Sequence, residues 1–121
     1  MKLETIPGAF TVCQLREADA ALLNHPFTFL SRTDAELSLV CPTELTPAET
    51  VAREDGWKGF RISGVLDFAL IGILAPIAAI LAENRIGIFA VSTYNTDYVF
   101  VKAAQFDAAL AALAAAGYEI T

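Results

Sequence analysis

One nearly uncharged run constrains the fold most. Residues 65–82 contain a single charged side chain, that of Asp67. A run of this length and hydrophobicity is near the threshold for a membrane-spanning helix. Gly72 and Pro76 interrupt it, however, and the part before Gly72 has the form of a short strand buried on both faces. We therefore expect a buried strand over residues 66–71 that turns into a buried helix, and no membrane span.

The rest of the C-terminal half alternates between helix and strand patterns. Apolar residues at helical spacing predict helices, and β-rich runs on either side of a polar turn predict a hairpin. The predicted elements after the first strand are a helix over residues 73–84, a hairpin of residues 88–93 and 98–101, a helix over residues 104–116 and a strand at residues 118–120. The order βαββαβ is that of a ferredoxin-like unit, so we expect an α+β fold with an antiparallel four-stranded sheet and two helices on one face.

The N-terminal half has the pattern of a reduced copy of this unit. Its predicted elements are strands at residues 10–15, 27–30, 37–40 and 57–62, a helical turn at residues 19–23 and a helix from Thr46 to Gly56. The start of that helix rests on the sequence T-P-A-E at residues 46–49, which is a capping box with proline at the first helical position.

An offset of 61 residues aligns the two halves. It pairs Ser31 with Ser92 (92 − 31 = 61) and Glu36 with Asp97. With this offset the two hairpins align, and so do the glycines that end the helices and the aromatic residues that follow them, which is typical of a repeat. We predict two ferredoxin-like units with antiparallel sheets, residues 1–62 and 65–121, joined by a junction too short to be a flexible linker.

Charge and cysteine content limit the partners and the location. Eight Lys and Arg residues against fourteen Asp and Glu residues give a net charge of −6. Such a field repels nucleic acid and anionic membranes, so we expect neither as a partner. Cys13 and Cys41 lie in apolar runs and are predicted to be buried free thiols. The N-terminus carries no apolar signal-peptide region, so we expect a cytoplasmic protein.

The sequence offers few groups for catalysis. His25 is the sole histidine, which excludes a site with several histidine ligands, and we interpret it as a solvated loop residue. No glycine spacing fits a phosphate-binding loop, and no serine stands in a nucleophile elbow. For Asp67, inside the predicted buried strand, we favour a structural role. We expect no enzyme, no cofactor and no metal.

The turn of the predicted hairpin is strongly polar. It consists of Ser92, Thr93, Tyr94, Asn95, Thr96 and Asp97. In a βαβ unit this turn lies at the same edge as the strand-to-helix junction of Gly72, Ile73 and Leu74. Helix-start N–H groups can hold a carboxylate and Asp97 can pair with an ammonium group, which together would bind a zwitterion. An ordinary turn, in which Asn and Asp serve turn chemistry, is the alternative that the residues alone favour.

The stretch S-G-V-L-D-F-A-L-I-G-I-L-A-P-I-A-A-I-L-A-E-N-R-I-G-I-F-A-V-S-T-Y-N-T-D-Y-V-F-V, residues 63–101, resembles the ACT domain, a regulatory module that binds amino acids. It is similar in particular to tandem-ACT proteins related to the CASTOR-type arginine sensors. The shared features are a strand, a G-I-L-A helix start and an S-T-x-x-T-D hairpin. The resemblance implies that a ligand lies where two ACT units meet and contacts Gly72, Ile73, Leu74 and the six hairpin residues. The N-terminal half departs from the pattern through its stunted first helix and the missing glycine after its first strand.

These features predict a non-catalytic regulatory or sensor protein that binds a free amino acid and forms a homodimer, with a regulated protein as a further partner. The alternative is a structural or adaptor module that acts by protein contact without a small-molecule ligand. The sequence does not name the amino acid. Asp97 would complement the α-ammonium group of any ligand, and a second acid at the side-chain pocket, Asp67 or Glu36, would decide between neutral and basic ligands.

Overall fold

The computed structural model describes residues 1–67 and 69–121. Its strands and helices, in chain order, are β1 (Lys2–Thr5), β2 (Phe10–Leu15), β3 (Phe29–Arg32), β4 (Leu37–Pro42), β5 (Ala52–Ile62), α1 (Leu74–Glu83), β6 (Ile88–Ser92), β7 (Asp97–Lys102), α2 (Phe106–Ala115) and β8 (Glu119–Ile120). Short 3-10 turns occupy Ala20–Asn24, Thr43–Leu45 and Ala103–Gln105. The fold is mixed α+β, as the sequence predicts.

The chain forms two compact units. The split unit consists of Met1–Pro7 and Lys58–Thr121, and the inserted unit consists of Gly8–Trp57. Strand β5 contributes its first six residues to the inserted unit and its last five to the split unit.

In the split unit the strands lie in the order β6-β7-β5-β1-β8. The chain passes from the end of β5 through α1, the hairpin β6–β7 and α2 to β8, which is the βαββαβ order. Strand β1 lies between the first and the last strand of that order. It runs antiparallel to β5, with Leu3 opposite Ile62, and parallel to β8, with Leu3 opposite Ile120. The expectation of a purely antiparallel sheet is therefore wrong for this unit.

The strand predicted over residues 66–71 does not form among the described residues of that segment, and Phe68 lies outside them. The end of β5 takes its place as the first strand. There Phe60 and Ile62 alternate with more polar neighbours and are fully buried, whereas Leu70 and Ile71 are 50% and 90% exposed. A short apolar run does not by its periodicity reveal whether it is buried in a sheet. The predictions of the following helix and hairpin are confirmed.

Both helices of the split unit pack on one face of its sheet. Their buried side chains share a core with the strand residues that point to that face. The buried residues of this core are Leu3, Phe60, Ile62, Ile77, Leu81, Ile86, Val99, Val101, Phe106, Ala109 and Leu113. None of the helices in residues 1–67 and 69–121 is long and apolar enough to cross a membrane.

In the inserted unit the order is β3-β4-β2-β5, and the three neighbour pairs of that order are antiparallel. The helix predicted from Thr46 to Gly56 is wrong. Residues 52–57 extend β5 instead and pair with β2, where Arg53 lies opposite Cys13. Strand pairing satisfies the backbone over many residues and overrides a local capping signal. Residues 46–51 form no helix either, and the hydroxyl of Thr46, which would cap one, lies 3.6 Å from the Sγ of Cys41.

Cys13 and Cys41 are buried free thiols in the core of the inserted unit, as predicted. Burial raises the pKa of both thiols because it disfavours the thiolate. Both cysteines therefore serve as small apolar residues.

The hairpins of the two units repeat with an offset of 60 residues, not 61. Strands Leu37–Pro42 and Asp97–Lys102 differ by that number (97 − 37 = 60). The turns also agree, because the N–H of Thr33 donates to the carbonyl of Glu36 and that of Thr93 to the carbonyl of Thr96, both at 2.9 Å. Turn hydrogen bonds fix the register of a hairpin, whereas the identity of two serines does not. Glu36 therefore corresponds to Thr96 and not to Asp97.

The close packing of Gly59 gives a test of this fold. A Cβ atom at Gly59 would lie 2.8 Å from Cε1 of the fully buried Phe100, whose ring stacks on Phe89 at 4.9 Å between centroids. We expect Gly59→Ala to lower the free energy of unfolding by about 1–3 kcal/mol through overpacking. Urea unfolding followed by circular dichroism measures it. Gly87→Ala is the control, because a Cβ there meets nothing within 4 Å; equal losses in both variants would contradict the packing around Phe100.

Candidate functional site

The split unit contains a cleft of about 240 Å³ at the turn of the hairpin β6–β7. It is lined by Leu66, Asp67, Leu70, Ile73, Ser92, Thr93, Tyr94, Asn95, Thr96 and Asp97. Seven of the nine residues proposed from the sequence, Ile73 and the six hairpin residues, are among these. Gly72 and Leu74 are not, although they flank Ile73 in the chain. The structure thus brings together the polar turn and the segment that leads into α1.

Hydrogen bonds within the hairpin turn stabilise the wall of the cleft that residues 92–97 form. The hydroxyl of Thr93 donates to the carbonyl of Thr96 at 3.0 Å, beside the backbone bond between the same two residues. Thr96 is only 6% exposed, and its hydroxyl donates to the carbonyl of Ile62 at 2.7 Å. A buried hydroxyl must find an acceptor, and Ile62 is the last residue of β5. The turn is therefore fixed to the end of β5.

The opposite wall comes from the segment before α1. The N–H of Leu66 donates to the carbonyl of Asn95 at 2.7 Å, which joins this segment to the hairpin turn. Asp67 then begins a turn of its own: its Oδ1 accepts from the N–H of Ala69 at 2.8 Å, and its carbonyl accepts from Leu70 at 3.0 Å. An aspartate whose side chain accepts a hydrogen bond from the N–H two residues later is typical of an exposed turn.

The charges that line the cleft are all negative. Asp97 ends the hairpin turn, and its Oδ1 accepts from the hydroxyl of Ser92 at 2.6 Å. Asp67 supplies the second carboxylate, and no Lys, Arg or His is among the lining residues. Two carboxylates at one small cleft create a local field that attracts cations.

The entry into α1 requires Gly72. Its φ of +70° lies in the left-handed region that glycine adopts without strain. Ile73, the helix N-cap, makes no side-chain capping hydrogen bond. No side chain therefore caps the N–H groups of Leu74 and Ala75 at the start of α1, and Pro76, the third residue, has no N–H.

A second set of polar contacts, made by Arg61, Tyr98 and Glu4, stabilises the end of β5 next to Ile62. Arg61 donates to the hydroxyl of Tyr98 at 3.2 Å and lies 3.4 Å from the Oε2 of Glu4. The hydrogen bond with Tyr98 raises the pKa of Arg61. A hydrogen bond with Ser63 is the main cause that lowers the pKa of the half-buried Glu4. Alternation along β7 makes Tyr98 point away from the side taken by Asp97.

Three lining residues were not in the predicted set. Leu66 and Leu70 were assigned to a buried strand, and Asp67 was considered mainly as a structural residue. The charge of Asp67 in an otherwise apolar run was the signal that this segment borders a polar site. Glu36, the other candidate for a second acid, belongs to the inserted unit and does not line the cleft.

Comparison with protein families gives one match. Residues 52–115 match the family model described as the ACT domain. The match begins within β5, in agreement with the observed first strand of the βαββαβ order. No curated protein sequence matches the chain.

Comparison with solved structures finds several similar folds. Protein Atu0741 from Agobacterium tumefaciens is 32% identical with a TM-score of 0.88, over 99% of this chain and 91% of that one. The ligand-free regulatory subunit of aspartate kinase from Thermus thermophilus is 12% identical with a TM-score of 0.65, over 97% and 98%. Aspartate kinase from Clostridium acetobutylicum is 13% identical with a TM-score of 0.64, over 92% of this chain but 32% of the enzyme. At these identities the two kinase proteins show the fold alone.

The hydrogen bond from Thr96 to Ile62 can be tested directly. We expect Thr96→Val, which keeps the shape of the side chain, to lower the free energy of unfolding by about 1–3 kcal/mol, because the bond is buried. Urea unfolding measures the change. Thr28→Val is the matched control, since that hydroxyl makes only a 3.4 Å contact with the carbonyl of Pro26 near the surface. A loss no larger than that of the control would contradict the role of Thr96.

Proposed function

This chain belongs to the ACT domain family, and on that premise we propose that it is a non-catalytic regulatory protein that binds a free amino acid in the cleft. The observation that carries the proposal is the composition of the cleft wall. The polar turn of residues 92–97 and the segment leading into α1, predicted from the sequence to form a ligand site, line the same small cavity.

The size and polarity of the cleft suit a small zwitterion. Its volume of about 240 Å³ lies below the roughly 300–1,000 Å³ typical of sites for drug-sized ligands. Asp97 is positioned to accept from an ammonium group. The N–H groups at the start of α1, which no side chain caps, are the candidates to bind the ligand's carboxylate, and they follow the lining residue Ile73 in the chain. Binding would then join the hairpin and the helix start, the two elements that the ligand contacts.

The surface next to the cleft supports assembly. Val65, Ile71 and Tyr94 are 73%, 90% and 79% exposed, and each is a lining residue or lies next to one in the chain. Large exposed apolar side chains that lie together are typical of interaction surfaces. We propose that this surface takes part in a homodimer and that ligand binding changes the stability of the contact, which in turn affects a regulated protein partner.

Four further points belong to the same proposal. Two ACT units per chain, one of them degenerate, are supported by the repeated hairpin and by the strand orders of the split and inserted units. The others stay predictions from the sequence: the division of the units at residues 1–62 and 65–121, the relation to CASTOR-type tandem-ACT proteins and the cytoplasmic location.

One observation favours the alternative function, an adaptor module without a ligand. Gly72 and Leu74, two of the three helix-start residues predicted to hold a carboxylate, do not line the cleft. An adaptor would use the exposed apolar side chains for protein contact and would not respond to amino acids.

Thermal unfolding in the presence of each of the twenty amino acids separates the two functions. A ligand that binds only the folded state stabilises it by RT ln(1 + [L]/Kd), about 2.7 kcal/mol at a hundredfold excess over Kd. We expect at least one amino acid at millimolar concentration to raise the Tm by several degrees. If none of the twenty shifts the Tm, the adaptor function replaces the sensor function.

The role of Asp97 gives a second test. We expect Asp97→Ala to abolish the Tm shift while lowering the stability of the unliganded protein by less than about 1 kcal/mol, because a carboxylate in a polar turn supports little packing. Loss of the anion that meets a bound ammonium group should weaken binding by about 2 kcal/mol or more. Glu36→Ala is the control, since Glu36 accepts from Ser38 in the other unit's hairpin. Unchanged binding by Asp97→Ala would place the site elsewhere.

A further inference from the structure

The sheet of the inserted unit has one face with little helical cover. The offset of 60 residues that aligns the two hairpins pairs Leu39 with Val99 (99 − 39 = 60) and Cys41 with Val101 (101 − 41 = 60). Val99 and Val101 belong to the core on which α1 and α2 pack. Leu39 and Cys41 belong to the core of the inserted unit. The two pairs therefore mark the same face of two related sheets.

Each unit covers that face differently. In the split unit, α1 and α2 have ten residues each. The inserted unit has only the five-residue 3-10 turn Ala20–Asn24 between β2 and β3. Its turn Thr43–Leu45 corresponds to Ala103–Gln105, which leads into α2 (103 − 43 = 60), but residues 46–51 form no helix before β5 begins. Among residues 8–57, all of which the structure describes, α2 has no counterpart.

The segments that replace the helices line a cleft of about 1070 Å³. Its lining includes Leu22 and Leu45, which pack on the core that contains the two cysteines, and Val51, which is 51% exposed. The volume exceeds the roughly 300–1,000 Å³ of sites for drug-sized ligands. An apolar groove is a common receptor for an amphipathic helix. The size of the cleft and the absent counterpart of α2 therefore both indicate a helical occupant.

The charged residues that line this cleft are mainly acidic. Glu17, Asp19 and Glu49 are exposed lining residues, and Arg16 is the one cation among the described residues of the lining. Their charges sum to −2 (1 − 3 = −2), and the whole chain carries −6. Charge complementarity therefore favours an occupant with Lys or Arg residues beside its apolar side.

The helices of a second copy of this chain do not have that character. The sequences L-A-P-I-A-A-I-L-A-E of α1 and F-D-A-A-L-A-A-L-A-A of α2 contain no Lys or Arg, and each contains one acidic residue. The apolar sides of both helices are also buried in the core of the split unit. The charge of the cleft therefore favours a helix from a different protein.

We propose that the cleft of the inserted unit binds an amphipathic helix of a partner protein, with the apolar side of the helix on Leu22, Leu45 and Val51 and with Lys or Arg residues facing Glu17 and Glu49. The bound helix covers the face that α2 covers in the split unit. The proposal does not depend on amino-acid binding at the hairpin turn.

Selection from a phage library of random peptides by the full chain tests the proposal. The peptides have about 15 residues, enough for about four helical turns. We expect the enriched peptides to share apolar residues at positions i, i+3 or i+4 and i+7, with Lys or Arg on the flanks, and to become helical on binding. Fluorescence anisotropy measures the affinity of the most enriched peptide, and circular dichroism measures its helicity. Replacing its Lys and Arg residues by Glu should weaken binding about tenfold or more, because attraction to the acidic lining residues becomes repulsion.

Val51→Lys and Leu23→Lys are matched variants. Both place Lys at an exposed apolar position of the inserted unit, 51% and 53% exposed, but Leu23 does not line the cleft. The N–H of Val51 donates to the carbonyl of Gln14 at 2.8 Å, a backbone bond that the substitution keeps. We expect Val51→Lys to weaken binding of the selected peptide about tenfold or more, because it removes an apolar contact and adds a like charge. Leu23→Lys should change the affinity less than about twofold.

A second pair of variants tests the charges. Glu17→Gln with Glu49→Gln removes two carboxylates from the cleft lining, whereas Asp34→Asn with Glu36→Gln removes two exposed carboxylates of the same unit that do not line it. We expect the first pair to weaken binding about threefold, since exposed charge pairs contribute modestly, and the second pair to leave the affinity unchanged.

Several results would overturn the proposal. They are enrichment of no peptide, enrichment of peptides without the apolar and cationic pattern, and equal affinity of the selected peptide for Val51→Lys and the wild-type chain. Self-association of the wild-type chain that Val51→Lys abolishes, measured by analytical ultracentrifugation, would assign the cleft to a second copy instead. The Asp97→Ala variant should bind the peptide as the wild type does, so a failure of amino-acid binding and a failure of helix binding are distinguishable.

Discussion

The buried hydrogen bond between the Thr96 hydroxyl and the Ile62 carbonyl is the interaction on which the candidate site depends. It joins the turn of one hairpin to the end of a strand more than thirty residues earlier in the chain. The bond lies where water does not compete for either group, so the turn has one favourable position. From that position the carbonyl of Asn95 meets the N–H of Leu66, which places the segment before α1 as the second wall of the cleft.

The two walls have different physical characters, and the proposed function uses both. The hairpin wall is fixed by paired strands and by the turn bonds of Thr93 and Thr96. The other wall is a segment outside any helix or strand, joined to the hairpin by the hydrogen bond from Leu66 to Asn95, with exposed apolar side chains such as Leu70 and Ile71. In the proposed function a ligand that bridges the walls adds contacts between them, next to the exposed apolar side chains that would meet a second protein. Amino-acid binding and protein contact would then be coupled through residues 65–67 and 69–73.

Sequence patterns predicted the elements whose stability is local. The hairpin β6–β7 and helix α1 follow from alternation, polar turn residues and helical spacing, and the turn supplied six of the ten lining residues. Two errors came from long-range pairing. A capping box at residues 46–49 predicted a helix, but pairing with β2 draws residues 52–57 into a strand. The apolar residues 66–71 predicted a strand, but the end of β5, supported by β1 from the N-terminus, already provides it. A local pattern does not show which of two segments pairs with the neighbouring strands of a sheet.

The central claim is that the cleft at the hairpin turn binds an amino acid, and its most direct test is a heteronuclear NMR titration of the labelled full chain with each of the twenty amino acids in turn. The account predicts saturable shifts of the amide signals of Thr93, Asn95, Asp97, Leu66 and Ile73. The inserted unit also contains a cleft, lined by residues such as Arg16, Leu45 and Val51, and the amide signals there should change little. Shifts concentrated in that second cleft, or saturation of neither set, would contradict the claim.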